Sequence, residues 1–170
     1  AAQIPVFTDV GGYFGSHEID FLLNVLKIID NPLDDIPLAA VMRHPVVGFG
    51  DNELAQIRLS HKKGRFYDAL CAEAQHDGDL GEKCRSFAQL LTGLYEDSKY
   101  KSVAEILRDV LAATDYMTYL CTLGDAEKAT ANVRMLFHKA DEFESNNFKG
   151  IFNFVNYIES VKQKTKDSDS

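Results

Sequence analysis

The residues most able to do chemistry lie between Asp35 and Leu54. A short apolar stretch, Asp35 to Arg43, is halted at His44-Pro45, turns through Gly48-Phe49-Gly50 and resumes as a second helical stretch at Asp51. A glycine–hydrophobe–glycine turn between two helices gathers backbone N–H groups beside a helix N-terminus, where a phosphate can sit. The stretch is therefore a candidate nucleic-acid contact. The same spacing also suits a plain helical hairpin, because glycines serve equally to make sharp turns. Charge adds a second signal. From Arg43 to Arg65 there are five basic side chains (Arg43, Arg58, Lys62, Lys63, Arg65) and two acidic ones (Asp51, Glu53), a net +3, while the other 147 residues hold 13 basic and 24 acidic side chains, a net −11. His44 and His61 fall in the same segment. Taken alone, Lys62-Lys63-Gly64-Arg65 also reads as an ordinary solvated loop.

Other chemistries lack their residues. Gly11-Gly12-Tyr13-Phe14-Gly15 has neither the lysine nor the spacing of a P-loop, so no ATP site is expected within this chain. Asp141-Glu142-Phe143-Glu144 imitates the acidic box of nucleoside triphosphatases, but it continues a helical face where that box would follow an apolar strand. The histidines at 17, 44, 61, 76 and 138 form no H-E-x-x-H pair, and the polar turn His76 to Gly81 does not keep the order of a calcium loop. Neither a metal ligand nor a catalytic residue is assigned. Cys71, Cys84 and Cys121 form no C-x-x-C and make an odd number, which fits a reducing cytoplasm better than a disulfide framework.

The elements that would position the turn follow from periodicity. A length of 170 residues with 45% hydrophobic and 11% aromatic content suffices for one domain with a real core. The net charge of −8 argues against wrapping nucleic acid by bulk electrostatics. Phe21 to Ile29, broken by Asn24 and Lys27, is too short to span a bilayer, and the first residues lack a signal-peptide pattern, so a cytoplasmic protein without membrane contact is expected. Ile4 to Thr8 reads as a β-strand with no partner strand in the chain, as in an excised piece of something larger.

Helices are expected from Ser16 to Ile29, with Ile19, Leu22, Leu23, Leu26 and Ile29 on one face, and from Phe66 to Ala74, Glu82 to Asp97, Ser102 to Leu111, Tyr116 to Leu123, Asp125 to Ser145 and Phe148 to Lys164. Ser102-Val103-Ala104-Glu105 is a capping box. The fold class is mainly α, an irregular multi-helix domain with a short N-terminal strand, and residues 165–170 read as a disordered tail.

Ile4-Pro5-Val6-Phe7, Gly12-Tyr13-Phe14, Ile28-Ile29-Asp30-Asn31-Pro32 and Asp34-Asp35-Ile36-Pro37-Leu38 together resemble the passage from domain 2A into domain 2B of UvrD/PcrA-type superfamily-one helicases. Arg43, Pro45, Val47-Gly48, Lys63-Gly64, Ala131-Asn132-Val133-Arg134 and Phe148-Lys149-Gly150-Ile151-Phe152 look more specifically like the AddA (RexA) subunits of bacterial ATP-dependent helicase–nucleases. The resemblance implies that residues 1–15 are a remnant of domain 2A and residues 16–164 a helical 2B-like domain. It further implies a DNA repair and recombination enzyme whose ATP and Mg²⁺ sites and nuclease lie outside this chain, with duplex DNA and an AddB-type subunit as partners. Carried onto this sequence, Gly48, Phe49 and Gly50 would contact the DNA backbone, with Arg43, Arg58, Lys62, Lys63 and Arg65 supplying charge in a weak, non-specific contact. A helical protein-interaction scaffold, docking the partner subunit or neighbouring motor domains without touching DNA, is the competing expectation, favoured by the acidic surface.

Overall fold

The computed structural model describes residues 15–168 together with Ser170, and among these it contains nine α-helices and no strand. They are α1 (His17–Asp30), α2 (Asp35–Arg43), α3 (Asp51–Ser60), α4 (Phe66–Glu73), α5 (Asp79–Ser98), α6 (Val103–Thr114), α7 (Tyr116–Cys121), α8 (Ala126–Ser145) and α9 (Ile151–Ser168). The mainly α class is thus what forms. The strand expected at Ile4–Thr8 lies outside the described residues.

Helix α1 is the axis of the packing. Ser16 enters it with extended backbone, Glu18 and Asp20 lie in its first turn and Lys27 in its last, each complementing the helix dipole. Periodicity marks Ile19, Leu22, Leu23, Leu26 and Ile29 as one buried face. Phe21, Val25 and Ile28 are buried too, so apolar surface runs around most of the helix. A helix of that kind must be enclosed, and α2, α5, α8 and α9 pack against it.

Polar ties fix the enclosing helices. Lys27 pairs with Glu159 at 3.0 Å and Lys162 with Asp20 at 2.8 Å, linking α1 to α9. Asn132 Nδ2 donates to Glu18 Oε1 at 2.6 Å from α8, and the buried Tyr116 hydroxyl donates to the Glu18 carbonyl at 3.0 Å from α7. Burial pushes the Tyr116 phenol well above its ordinary value, so it stays a donor at any physiological pH. At the ends of α3 and α4 the buried carboxylate of Glu73 accepts from Ser60 Oγ at 2.9 Å and lies 3.1 Å from His76 Nδ1.

Local signals set most helix ends. Asn31-Pro32 closes α1 and His44-Pro45 closes α2. His44 lies against Phe21 with ring centres 4.1 Å apart, and its Nδ1 accepts from the Val46 N–H at 3.3 Å; burial lowers its pKa, which keeps that nitrogen an acceptor. The capping box at α6 is present: Ser102 Oγ accepts from the Glu105 N–H at 3.1 Å and Glu105 Oε2 from the Ser102 N–H at 2.7 Å.

Several ends differ from expectation. α6, expected to stop at Leu111, runs on to Thr114. α5 starts at Asp79 rather than Glu82, with Gly81 inside its first turn at a position where a Cβ would collide with the His76 carbonyl. α7 stops at Cys121, two residues before Leu123. α9 begins at Ile151, after Asn147 and Gly150 adopt positive φ of 67° and 93°, and it continues to Ser168. Residues 165–168 are therefore helical, where a disordered tail was expected.

Leu26 is wholly enclosed on the axis helix, while Leu59 on α3 is 67% exposed. Leu26→Ala should cost about 2–5 kcal/mol in urea unfolding, and Leu59→Ala should stay within about 0.5 kcal/mol. Equal costs at the two positions would contradict the packing described.

Candidate nucleic-acid interface

The turn between α2 and α3 is held from inside. Gly48 takes φ +83°, a conformation that favours glycine. Its N–H donates to the His44 carbonyl at 2.8 Å, the Phe49 N–H to Met42 O at 2.9 Å and the Gly50 N–H to Glu53 Oε1 at 3.0 Å. All three amides expected to meet phosphate are thus engaged within the protein. Phe49 is buried, 3% exposed, with its ring edge-on to Phe87 at 5.8 Å; its side chain belongs to the core and not to the surface. Gly48 and Gly50 are exposed and carry no side chain, so another backbone can approach them closely.

What the turn leaves open is the start of α3. The first intrahelical bond is made by the Leu54 N–H to Gly50 O, so the amides of Asp51, Asn52 and Glu53 have no helical acceptor. Two of these residues are acidic, and each carboxylate is paired. Arg43 Nε lies 3.3 Å from Asp51 Oδ1, both exposed. Lys83, reaching over from α5, donates to Glu53 Oε1 at 2.8 Å and to the Gly48 carbonyl at 2.5 Å, with its ammonium 4.6 Å from the Phe49 ring centre. One lysine thereby grips the turn through a carboxylate, a carbonyl and a ring face.

The basic loop stands at the opposite end of α3. Ten helical residues put it about 15 Å from the glycine turn. Arg58 braces the loop, donating to the carbonyls of His61 at 3.2 Å and Gly64 at 3.4 Å, with its guanidinium 5.3 Å from the Phe66 ring centre. The Arg65 N–H donates to Asp68 Oδ2 at 3.1 Å, and the Phe66 N–H to Asp35 Oδ1 at 2.9 Å, which ties the loop back to α2. Lys62, Lys63 and Arg65 are exposed, and among the described residues their side chains have no ion-pair partner. Of the eight residues singled out from the sequence, the structure places Arg43, Gly48 and Gly50 at one end of α3 and Lys62, Lys63 and Arg65 at the other. Phe49 and Arg58 are given internal roles.

Lys83 was not singled out from the sequence. It lies 35 residues beyond Gly48, and no local motif marks it; an isolated lysine on an amphipathic helix looks like any solvated residue. The three cysteines gain no catalytic setting. Cys84 is buried, and burial pushes its thiol up to about 11, so it carries no thiolate at neutral pH. Among the described residues no group of three or more His, Cys, Asp and Glu side chains is placed to hold a metal ion, and no helix is long and apolar enough to cross a membrane.

The hydrogen bond from Lys83, reinforced by the Gly50 N–H, holds the Glu53 carboxyl below its ordinary value. A depressed carboxyl pKa stabilises the fold above the unfolded-state value, and that contribution is lost as the pH falls through the folded-state value. In Lys83→Ala the Glu53 carboxyl should titrate at higher pH than in the parent, read by NMR titration. An unchanged titration would mean that Lys83 does not hold the turn.

The family model of the UvrD-like helicase C-terminal domain matches residues 1–170. The A-type subunit of the ATP-dependent helicase/nuclease from Anoxybacillus flavithermus is 38% identical over 168 residues, 97% of this chain and 14% of the relative. The protein of the same name from Thermoanaerobacter sp. is 38% identical over 170 residues, 99% of this chain and 14% of the relative. That from Lactobacillus johnsonii is 36% identical over 167 residues, 98% of this chain and 14% of the relative. The chain thus spans 14% of the length of these relatives. With the match running from its first residue to its last, the chain belongs to the UvrD-like helicase C-terminal domain family.

Proposed function

We propose that this chain is a 2B-like accessory domain, with a remnant of domain 2A in residues 1–15, of a longer cytoplasmic polypeptide that acts as an ATP-dependent DNA helicase and exonuclease in double-strand-break repair. ATP, Mg²⁺ and nuclease chemistry belong to residues outside this chain, and an AddB-type subunit is a partner of the longer polypeptide. The role of the domain is to guide duplex DNA through a weak, sequence-independent contact with the phosphate backbone. One observation carries this reading: Lys62, Lys63 and Arg65 are exposed and unpaired among the described residues, in a chain whose net charge is −8.

Both ends of α3 take part. At the first turn, the open amides of Asp51, Asn52 and Glu53 face a phosphate whose approach is eased by Gly48 and Gly50, while Arg43 and Lys83 offset the two carboxylates. At the far end the cations of the loop meet the same duplex. A separation of about 15 Å corresponds to roughly four base-pair steps along a strand. Gly48, Phe49 and Gly50 contribute by shape, with Phe49 anchoring the turn from within. Arg58 contributes by holding the loop open.

Contacts of this kind release counterions, so affinity should fall as salt rises, with a log–log slope of about −0.9 for each phosphate neutralised. Lys62→Glu, Lys63→Glu and Arg65→Glu together should weaken binding of a mixed-sequence duplex at low salt by about tenfold or more and flatten that slope. Fluorescence anisotropy with labelled duplex measures both. Unchanged affinity and slope would rule out this face as the DNA contact.

A further inference from the structure

The amides that lead from α2 into the glycine turn converge on His44. The Val47 and Gly48 N–H groups donate to the His44 carbonyl at 2.9 and 2.8 Å, and the Val46 N–H donates to His44 Nδ1 at 3.3 Å. Pro45 has no N–H to place. Every backbone donor from residue 45 to residue 48 therefore ends on a single residue. Its ring is held from two sides, with its centre 4.1 Å from that of Phe21 on α1 and, edge-on, 5.1 and 5.7 Å from those of Tyr119 and Tyr116 on α7.

Histidine Nδ1 stands the same number of bonds from Cα as asparagine Oδ1. A side-chain acceptor at that position, bonded to the N–H two residues on, makes the turn that asparagine and aspartate commonly make. Here an imidazole supplies the acceptor, and Nε2 keeps the ring proton. The substitution has a chemical consequence. An amide oxygen accepts at any pH, whereas an imidazolium has only donors and would point one at the Val46 N–H. We infer that His44 is a positioning residue of the duplex contact, closing the glycine turn by accepting the Val46 N–H and releasing Gly48, Gly50 and the start of α3 when Nδ1 takes a proton. The inference rests on the proposed duplex contact for its consequence, while its cause lies in the hydrogen bonds of the turn.

The charges around the ring are committed elsewhere. α1 brings His17, Glu18 and Asp20 to the cavity that His44 lines, and α7 brings Tyr116 and Tyr119. Glu18 Oε1 accepts from Asn132, Asp20 is paired with Lys162, and the Tyr116 hydroxyl donates to the Glu18 carbonyl. Arg43, the preceding residue, reaches outward to Asp51. Burial holds the imidazole below the ordinary histidine value of 6.5. Opening of the turn returns the ring to water and to that ordinary value. Closure is therefore fully favoured above pH 6.5 and weakens as the pH falls from there to the lower value of the closed turn, by up to about tenfold per pH unit.

Two variants separate the acceptor from the ring: His44→Asn keeps the acceptor and gives up the ring, and His44→Phe does the reverse. Amide hydrogen exchange by NMR reads the turn, and fluorescence anisotropy with a mixed-sequence duplex at low salt reads the contact, each at about pH 8 and about pH 5.5. In the unmodified protein the Val46 protection factor should fall by up to about tenfold between the two. Its duplex affinity should fall relative to that of His44→Asn, which shares His17, His61, His76 and His138 and so gains the same charge from them. His44→Asn should keep its Val46 protection at both pH values. His44→Phe should lose about fivefold of it at both, the effect of one neutral hydrogen bond, and bind duplex about threefold more weakly. Val46 protection that ignores pH in the unmodified protein, survives in His44→Phe, or is lost equally in both variants would overturn the inference. Protection that changes as stated, with equal duplex affinity in all three proteins, would leave the hold of His44 on the turn intact and overturn the duplex contact there, and with it the positioning role.

Discussion

The structure depends on the enclosure of α1. Its eight buried apolar side chains leave no broad polar face, so the helix cannot rest on a surface and has to be surrounded. Burial of each such side chain is worth about 1.5–3 kcal/mol, more than any of the ion pairs that decorate the same helix. Those pairs have a different consequence. Glu18, Asp20 and Lys27 tie the helix to its enclosing elements, so the position of α7, α8 and α9 around the axis is fixed by geometry as well as by packing.

From that frame the candidate interface is built outward. Helix α2 packs on α1, and the chain then leaves the core through the glycine turn. Phe49 is the inward anchor of that turn, and Lys83 locks it from α5 by gripping Glu53, the Gly48 carbonyl and the Phe49 ring together. The arrangement spends the amides of Gly48, Phe49 and Gly50 on rigidity and leaves the open donors one step further on, at the start of α3. It also cancels the two acidic charges that would otherwise repel a phosphate there. The unpaired cations stand at the other end of the same helix, on a loop braced by Arg58, so α3 is a spacer of fixed length between the glycine turn and the basic loop.

Much of this fold is legible in the sequence wherever the cause is local. Proline after His44 and after Asn31, the Ser102–Glu105 capping box and the period of Leu22, Leu26 and Ile29 each announce themselves within a few residues. The misjudged features have distant causes. Gly81 reads as a loop residue but sits inside α5, at a position where the His76 carbonyl leaves no room for a Cβ. Phe21, Val25 and Ile28 fall off the apolar face of α1 on paper and are buried because helices pack on more than one side. At the interface, the glycine turn and the +3 island can be read directly. That Phe49 faces inward, that the three amides are taken and that Lys83 closes the turn cannot, since each depends on a residue brought in by tertiary packing.

The central claim is that α3 lies against a duplex with both ends in contact. Photo-crosslinking from Asn52 and from Lys63, each replaced in turn by a photoreactive residue within the longer polypeptide bound to a duplex, tests it directly. DNA adducts are expected from both positions, displaced from each other by roughly four base-pair steps. Adducts to protein alone from both positions would contradict it.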